Sequence, residues 1–204
     1  MRAGVIVAGG RSTRFGDRDK AVADLAGTPL VRRVADRLGS VVDELVVNCR
    51  PDQRAAIEAA LEGVDPAPAF AEDPTPDRGP MAGLMAGLRA VDSGYAAAVA
   101  CDMPFVDPGF LDYLFGRAAG HDAAVPKPDE WFQPMQAVYR AEPMAAACAA
   151  ALERGEGRVV APLEELDSVV VGPGEIEAHA APGTFENLNT RGEFEAAAER
   201  LRGE

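Results

Sequence analysis

Val5-Ile6-Val7-Ala8-Gly9-Gly10-Arg11-Ser12-Thr13-Arg14-Phe15-Gly16-Asp17-Arg18-Asp19-Lys20 opens as an apolar run and empties into a loop of small residues studded with cations. Such a strand is buried on both faces, and the loop behind it can wrap its main-chain N–H groups around phosphates. Gly9 and Gly10 allow close backbone approach, Arg11 and Arg14 can pair with phosphate oxygens, and Lys20 carries a point charge on a flexible stem. Two familiar loop templates do not fit. A Walker A loop needs Gly-Lys-Ser/Thr, but Asp17 follows Gly16, and Gly9-Gly10 with Gly16 does not make G-x-G-x-x-G. What remains is a longer strand-to-helix loop that holds a nucleotide, against the alternative of a surface loop of salt-bridged arginines. Lys20 is one of only two lysines in the chain, with Lys127, and this weighs for the first.

Outward from this stretch, apolar runs of strand length alternate with segments of helical period, the pattern of an α/β sheet covered on both faces. Residues 3–8, 45–48 and 95–101 read as strands, and 67–71 as a weak one. Thr28 before Pro29 reads as a helix N-cap, with Leu30, Val31, Val34 and Leu38 on one face of a helix ending near Gly39. Further helices are expected from Pro51 to about 61, over 79–91, and from Asp107-Pro108 to about 119. The last third differs. Residues 123–125 and 136–140 read as strands around the loop 127–134, an antiparallel excursion, followed by helices at 144–153, 163–166 and 191–202 and a strand at 168–171. The expected architecture is a Rossmann-like, doubly wound, mostly parallel sheet with a small antiparallel excursion in the C-terminal third, forming one domain over residues 1–204.

A net charge of −13 from 33 acids against 20 bases repels nucleic acid and anionic membranes, so neither is an expected partner and any phosphate site must be local. An acid-rich, Arg-over-Lys, Ala-rich surface suits concentrated salt and points to a halophilic source. The alternative is an ordinary acidic protein of a GC-rich genome. No run reaches the ~18 to 20 apolar residues that span a bilayer, and the chain starts on a strand instead of a leader, so a cytoplasmic protein is expected. Cys49, Cys101 and Cys148 are widely spaced, with no C-x-x-C, which argues against a zinc site or a disulfide frame.

The segment 7–16, with Asp19-Lys20 and 25–30, resembles the N-terminal signature of nucleotidyltransferases. It is most similar to the molybdenum cofactor guanylyltransferases. The resemblance continues through Asn48, Glu72-Asp73, Gly79-Pro80-Met81-Ala82-Gly83-Leu84, Cys101-Asp102-Met103-Pro104-Phe105 and Phe185-Glu186-Asn187-Leu188-Asn189-Thr190, nearly the whole chain. Gln133-Pro134 stands where bacterial members carry His-Pro, and residues 155–183 match no motif.

The resemblance implies transfer of GMP from GTP to the terminal phosphate of molybdenum-bound molybdopterin. N–H groups from Val7, Ala8, Gly9 and Gly10, with Arg14 and Lys20, would hold the triphosphate, and Mg2+ would sit on Asp102 at a strand's end. The alternative for Asp102 is a turn cap before Pro104. Asp73 and Asn48 would read guanine, whose N1–H and exocyclic amine present two donors, although Asp73 before Pro74 also suits an Asx turn. Gly79 would open a helix toward the ligand, and Asn187 and Asn189, flanking one inward residue, would contact the acceptor phosphate or the metal shell, with helix capping by Asn189 or Thr190 as the rival. Transient contacts with molybdopterin-handling proteins or recipient oxidoreductases, as a monomer or weak oligomer, go with this reading. Alternatives are an adenosylcobinamide-phosphate guanylyltransferase, a molybdopterin cytidylyltransferase, a sugar-phosphate nucleotidyltransferase, or a non-catalytic nucleotide-binding paralogue.

Overall fold

The computed structural model describes residues 1–10, 19–73 and 78–203; the expectations placed on Arg11 and Arg14 fall outside them. Strand β1 (Arg2–Val7) is central, and from Ala3 onward every residue is buried. Its side chains alternate between two cores. Ile6 joins a cluster with Val34, Leu38, Phe110 and Leu114, whereas Val5 and Val7 join one with Met81, Leu84, Met144 and Cys148. The apolar run is unbroken because both faces are covered.

After β1, a short 3-10 turn (Lys20–Val22) is capped by the Asp19 carboxylate, which accepts from the Ala21 N–H at 3.0 Å. A small hairpin follows, β2 (Asp24–Leu25) against β3 (Thr28–Pro29), turning through Ala26 (φ 53°) and Gly27 (φ 84°). This corrects the expected N-cap. Thr28 pairs with Leu25 in the hairpin, and the extended Pro29 occupies the cap position of helix α1 (Leu30–Gly39). Leu38 of α1 lies so close over Gly4 that a Cβ there would meet its Cδ2 at 2.7 Å.

Strand β4 (Glu44–Cys49) pairs parallel with β1. Helix α2 (Arg54–Ala60) begins later than the Pro51 expected, because residues 50–53 form a turn in which Gln53 Oε1 accepts from the Arg50 N–H at 3.0 Å. Strand β5 (Ala69–Glu72) adds parallel to β4. Helix α3 (Pro80–Arg89) starts behind Gly79, whose φ of 81° needs glycine. Strand β6 (Tyr95–Ala100) pairs parallel with β1 on the other side, and α4 (Pro108–Ala118) is capped by Asp107.

Strand β7 (Ala123–Pro126) and strand β8 (Gln136–Arg140) complete the expected excursion. The sheet order is β5-β4-β1-β6-β8-β7-β9, and β8 alone runs against its neighbours, antiparallel to both β6 and β7. Helix α5 (Ala141–Glu153) packs beside α3, and β9 (Ser168–Val171) closes the far edge parallel to β7. Helix α6 (Pro173–His179) falls in a stretch without a motif, and none of its residues is buried, so no apolar stripe marks it. The chain ends in α7 (Arg191–Gly203). No helix among the described residues is long and apolar enough to cross a membrane.

Candidate active site

Four parallel strands in the order β5-β4-β1-β6 end along one edge, and each delivers a residue singled out above. Asp73 follows β5, Asn48 lies near the end of β4, Ala8 to Gly10 follow β1, and Asp102 follows β6. The chain leaves β1 toward β4 on one side and returns to β6 on the other, so this edge holds the crevice at which open α/β sheets bind ligands. Main-chain bonds stitch the strand ends together: Ala8 N–H donates to Asn48 O at 2.9 Å, Cys101 N–H to Val7 O at 3.1 Å, and Asp73 N–H to Cys49 O at 3.0 Å.

Lys20 and Asp102, 82 positions apart, meet here. Nζ lies 2.9 Å from Oδ2, with the lysine side chain 9% exposed and the aspartate 22%. An ion pair this withdrawn from water is little screened, and it ties Lys20 to the tip of β6. Among the described residues no group of three or more His, Cys, Asp or Glu forms a metal cluster. One carboxylate at a ligand-binding edge instead suits Mg2+, which keeps most of its shell for water and substrate phosphates. The donor set therefore fits an ion that arrives with a triphosphate.

Asn48 occupies a different place from the one expected of a base reader. It is fully buried, and its Nδ2 donates to Asp73 Oδ1 at 2.7 Å and to Ala71 O at 3.1 Å. The donor side of the amide thus positions Asp73, while Oδ1 is buried without a hydrogen-bond partner. Asp73 Oδ2 and Asn48 Oδ1 converge on the Cα of Gly9, where a Cβ would collide with the first and meet the second at 3.2 Å. Asn48 Oδ1 is sealed between Gly9 and Gly83, so the acceptor left for the donor edge of a ligand belongs to the half-buried Asp73.

Gly83 shows why small residues recur at the start of α3. A Cβ on it would collide with Asn48 Oδ1 and meet Cγ at 3.0 Å. Asn48 is walled in by sheet and helix, so Gly83→Ala should displace its amide and loosen its bond to Asp73. The expected result is at least a tenfold rise in KM for the nucleotide with a melting temperature lowered by a few degrees. Unchanged KM would mean that Asn48 does not govern Asp73.

Asn187 and Asn189 are drawn to the site by the main chain between them. Leu188 N–H donates to Asp102 O at 3.0 Å, and the Leu188 side chain is fully buried. Helix capping belongs to Thr190, whose Oγ1 accepts from the Glu193 N–H at 3.2 Å; in return Glu193 Oε2 accepts from the N–H groups of Thr190 and Asn189. Those N–H bonds hold the Glu193 carboxyl below its ordinary value. Upstream, buried Thr184 receives Gln136 Nε2 at 2.7 Å and the Asp107 N–H at 3.0 Å, fixing the tail against β8 and α4. Neither Gln136 nor Thr184 stands out in the sequence. Nor do Arg50 and Gln53, whose side chains reach the carbonyls of residues 8–10; the available signal is two polar residues just past a strand end on the ligand edge. Burial raises the thiol of Cys49 to about 11 and those of Cys101 and Cys148 to about 12, which disfavours the thiolate form.

Residues 4–169 match the MobA-like NTP transferase domain. A Natronomonas pharaonis protein named "Probable molybdenum cofactor guanylyltransferase" is 58% identical over 98% of both chains. A Haloferax mediterranei protein of the same name is 42% identical over 98% of this chain and 94% of its own. Both organisms are halophilic archaea, in keeping with the acidic composition. The crystal structure of "Molybdopterin-guanine dinucleotide biosynthesis protein A" from Archaeoglobus fulgidus superposes with a TM-score of 0.80 over 100% of both chains at 26% identity. A 4-diphosphocytidyl-2C-methyl-D-erythritol synthase from Anaerococcus prevotii shares the fold alone, with a TM-score of 0.75 at 14% identity over 98% of this chain and 96% of that one. With the family model matched over residues 4–169 and relatives alike over almost their full length, the chain belongs to the MobA-like NTP transferases, among the molybdenum cofactor guanylyltransferases.

Proposed function

We propose that this protein, acting as one domain over residues 1–204, transfers GMP from GTP to the terminal phosphate of molybdenum-bound molybdopterin. The observation that carries the reading is the Lys20–Asp102 pair at 2.9 Å, which brings a cation and a metal-competent carboxylate to the mouth of the glycine loop. An oxygen of the acceptor phosphate attacks the α-phosphorus of GTP in line; the bond from that phosphorus to the α,β-bridging oxygen breaks, and pyrophosphate leaves. A phosphate monoester is already an anionic nucleophile at neutral pH, so no general base is needed. Rate comes from alignment and from balancing the charge that gathers on the leaving group.

The N–H groups of Gly9 and Gly10, with Arg14 and Lys20, bind the triphosphate, and Gly79 opens α3 toward it; of the N–H groups expected to join them, that of Ala8 is spent on Asn48 O and Val7 belongs to β1. Asp73, steadied by Asn48, accepts from the guanine edge. Asn187 and Asn189 bind the acceptor phosphate beside Asp102. Asp102 would hold Mg2+, which would supply Lewis-acid charge neutralisation. The work is done in the cytoplasm, with molybdopterin-handling proteins or recipient oxidoreductases as transient partners.

Purified protein incubated with Mg2+, molybdenum-loaded molybdopterin and each nucleoside triphosphate in turn tests this reading. GTP-dependent pyrophosphate release with formation of the guanine dinucleotide is expected. Turnover with CTP or UTP instead, or with a sugar phosphate as acceptor, would overturn it.

A further inference from the structure

The phosphate loop is held from behind by the turn that follows β4. Arg50 Nη1 donates to the Gly9 carbonyl at 3.1 Å and to the Gly10 carbonyl at 2.9 Å, and Gln53 Nε2 donates to the Ala8 carbonyl at 3.2 Å. Both donors are themselves fixed. Arg50 Nε and Nη2 each reach a different carboxylate oxygen of Asp52 at 3.1 Å, and Gln53 Oε1 accepts from the Arg50 N–H. The Arg50 side chain is 13% exposed and Gln53 is buried, so the arginine is largely spent on the loop and on Asp52 and not held out to solvent.

A trans peptide unit is planar, and its C=O points opposite to the N–H of the next residue. Fixing the Ala8 and Gly9 carbonyls therefore fixes the N–H vectors of Gly9 and Gly10 to the side away from Arg50 and Gln53. Two successive glycines have no such direction of their own, because each visits both halves of φ space. A loop left free would also turn carbonyl oxygens toward an anionic ligand for part of the time, which repels phosphate. A guanidinium is suited to this task. Its planar fork can serve loop carbonyls and a carboxylate together, which an ammonium on a flexible stem cannot do in one geometry.

We infer that Arg50 is a positioning residue of the nucleotide site: it locks the Gly9–Gly10 carbonyls so that the loop's N–H groups face the triphosphate before the ligand arrives. The inference rests on the assignment of the Gly9 and Gly10 N–H groups to triphosphate binding. It concerns phosphate affinity and not base choice, because Asp73 and Asn48 are positioned by each other and by β4 and β5.

The test is calorimetric titration of the full chain with GTP, and with guanosine by competition, in wild type, Arg50→Met and Arg50→Lys. Melting temperatures are recorded beside each titration. Arg50→Met should weaken GTP by about 10- to 100-fold, the scale expected when two glycines must be ordered at binding, and leave guanosine within threefold. Arg50→Lys should fall between the two, since one ammonium can hold one carbonyl. GTP affinity within threefold of wild type in Arg50→Met, or a parallel loss for guanosine, overturns the inference, the second by showing that the arginine merely supports the fold of the pocket. Wild type serves as the control for the reading beneath it. If wild type binds another nucleoside triphosphate in place of GTP, the guanine assignment fails while Arg50 is tested on that nucleotide; if it binds none, both fall.

Discussion

Asp102→Asn lowers turnover by about 10^3-fold or more while GTP still binds and the protein stays folded, with a melting temperature lowered less than in Asp102→Ala. The substitution keeps the shape of the side chain and an oxygen for Lys20 Nζ, now 2.9 Å from Oδ2, but removes the charge that would anchor a divalent ion. Loss of that anchor forfeits several kcal/mol of charge neutralisation in the transition state, and about 4 kcal/mol corresponds to 10^3 in rate. The isostere is the cleaner variant. Asp102→Ala would strand a lysine whose side chain is 9% exposed, and an uncompensated charge in such a place costs up to about 3–5 kcal/mol of stability, confounding the assay. Rates are measured by pyrophosphate release over a range of Mg2+ concentrations. Retention of more than a tenth of wild-type turnover at saturating Mg2+ would remove Asp102 from the chemistry.

Asp73→Asn shifts nucleotide choice. A carboxylate accepts at both oxygens, whereas an amide turns a donor toward the N1–H and exocyclic amine of guanine, so one hydrogen bond becomes a clash of donors. Sites that read donors and acceptors lose about 10^2-fold or more when such a match is broken. The introduced amide keeps one oxygen to accept from Asn48 Nδ2, now 2.7 Å from Asp73 Oδ1, so the strand ends remain joined. Specificity constants for GTP, ATP, CTP and UTP with a common acceptor measure the change. A GTP preference that stays within threefold of wild type would mean that the base is read elsewhere.

Most of the scaffold was legible because burial writes itself into composition. Strands β1 and β6 are covered on both faces and therefore appear as unbroken apolar runs, which also placed the ligand edge at Ala8 and Cys101. The N-cap at Thr28 misled, since the hairpin partner Leu25 and the positive φ at Ala26 and Gly27 pull Thr28 and Pro29 into extended backbone. The site's individual residues could be nominated from family likeness, but their division of labour could not. Asn48 and Asp73 lie 25 positions apart and meet only because β4 and β5 pair with Asn48 opposite Ala71. Arg50 carries no motif, and its partners are main-chain oxygens, which have no residue type to betray them.

The reversed strand β8 has a consequence for how this enzyme class can diversify. Running opposite to β6, it brings its beginning and not its end to the ligand edge, where Ala100 N–H is bonded to Met135 O at 3.1 Å; two residues on from Ala100, Leu188 N–H is bonded to Asp102 O at 3.0 Å. Both tethers join peptide groups and are indifferent to side-chain identity. Exposed positions along both segments can therefore change over evolutionary time with the tethers kept, while Leu188, Gln136 and Thr184, whose side chains are buried, anchor them to the fold.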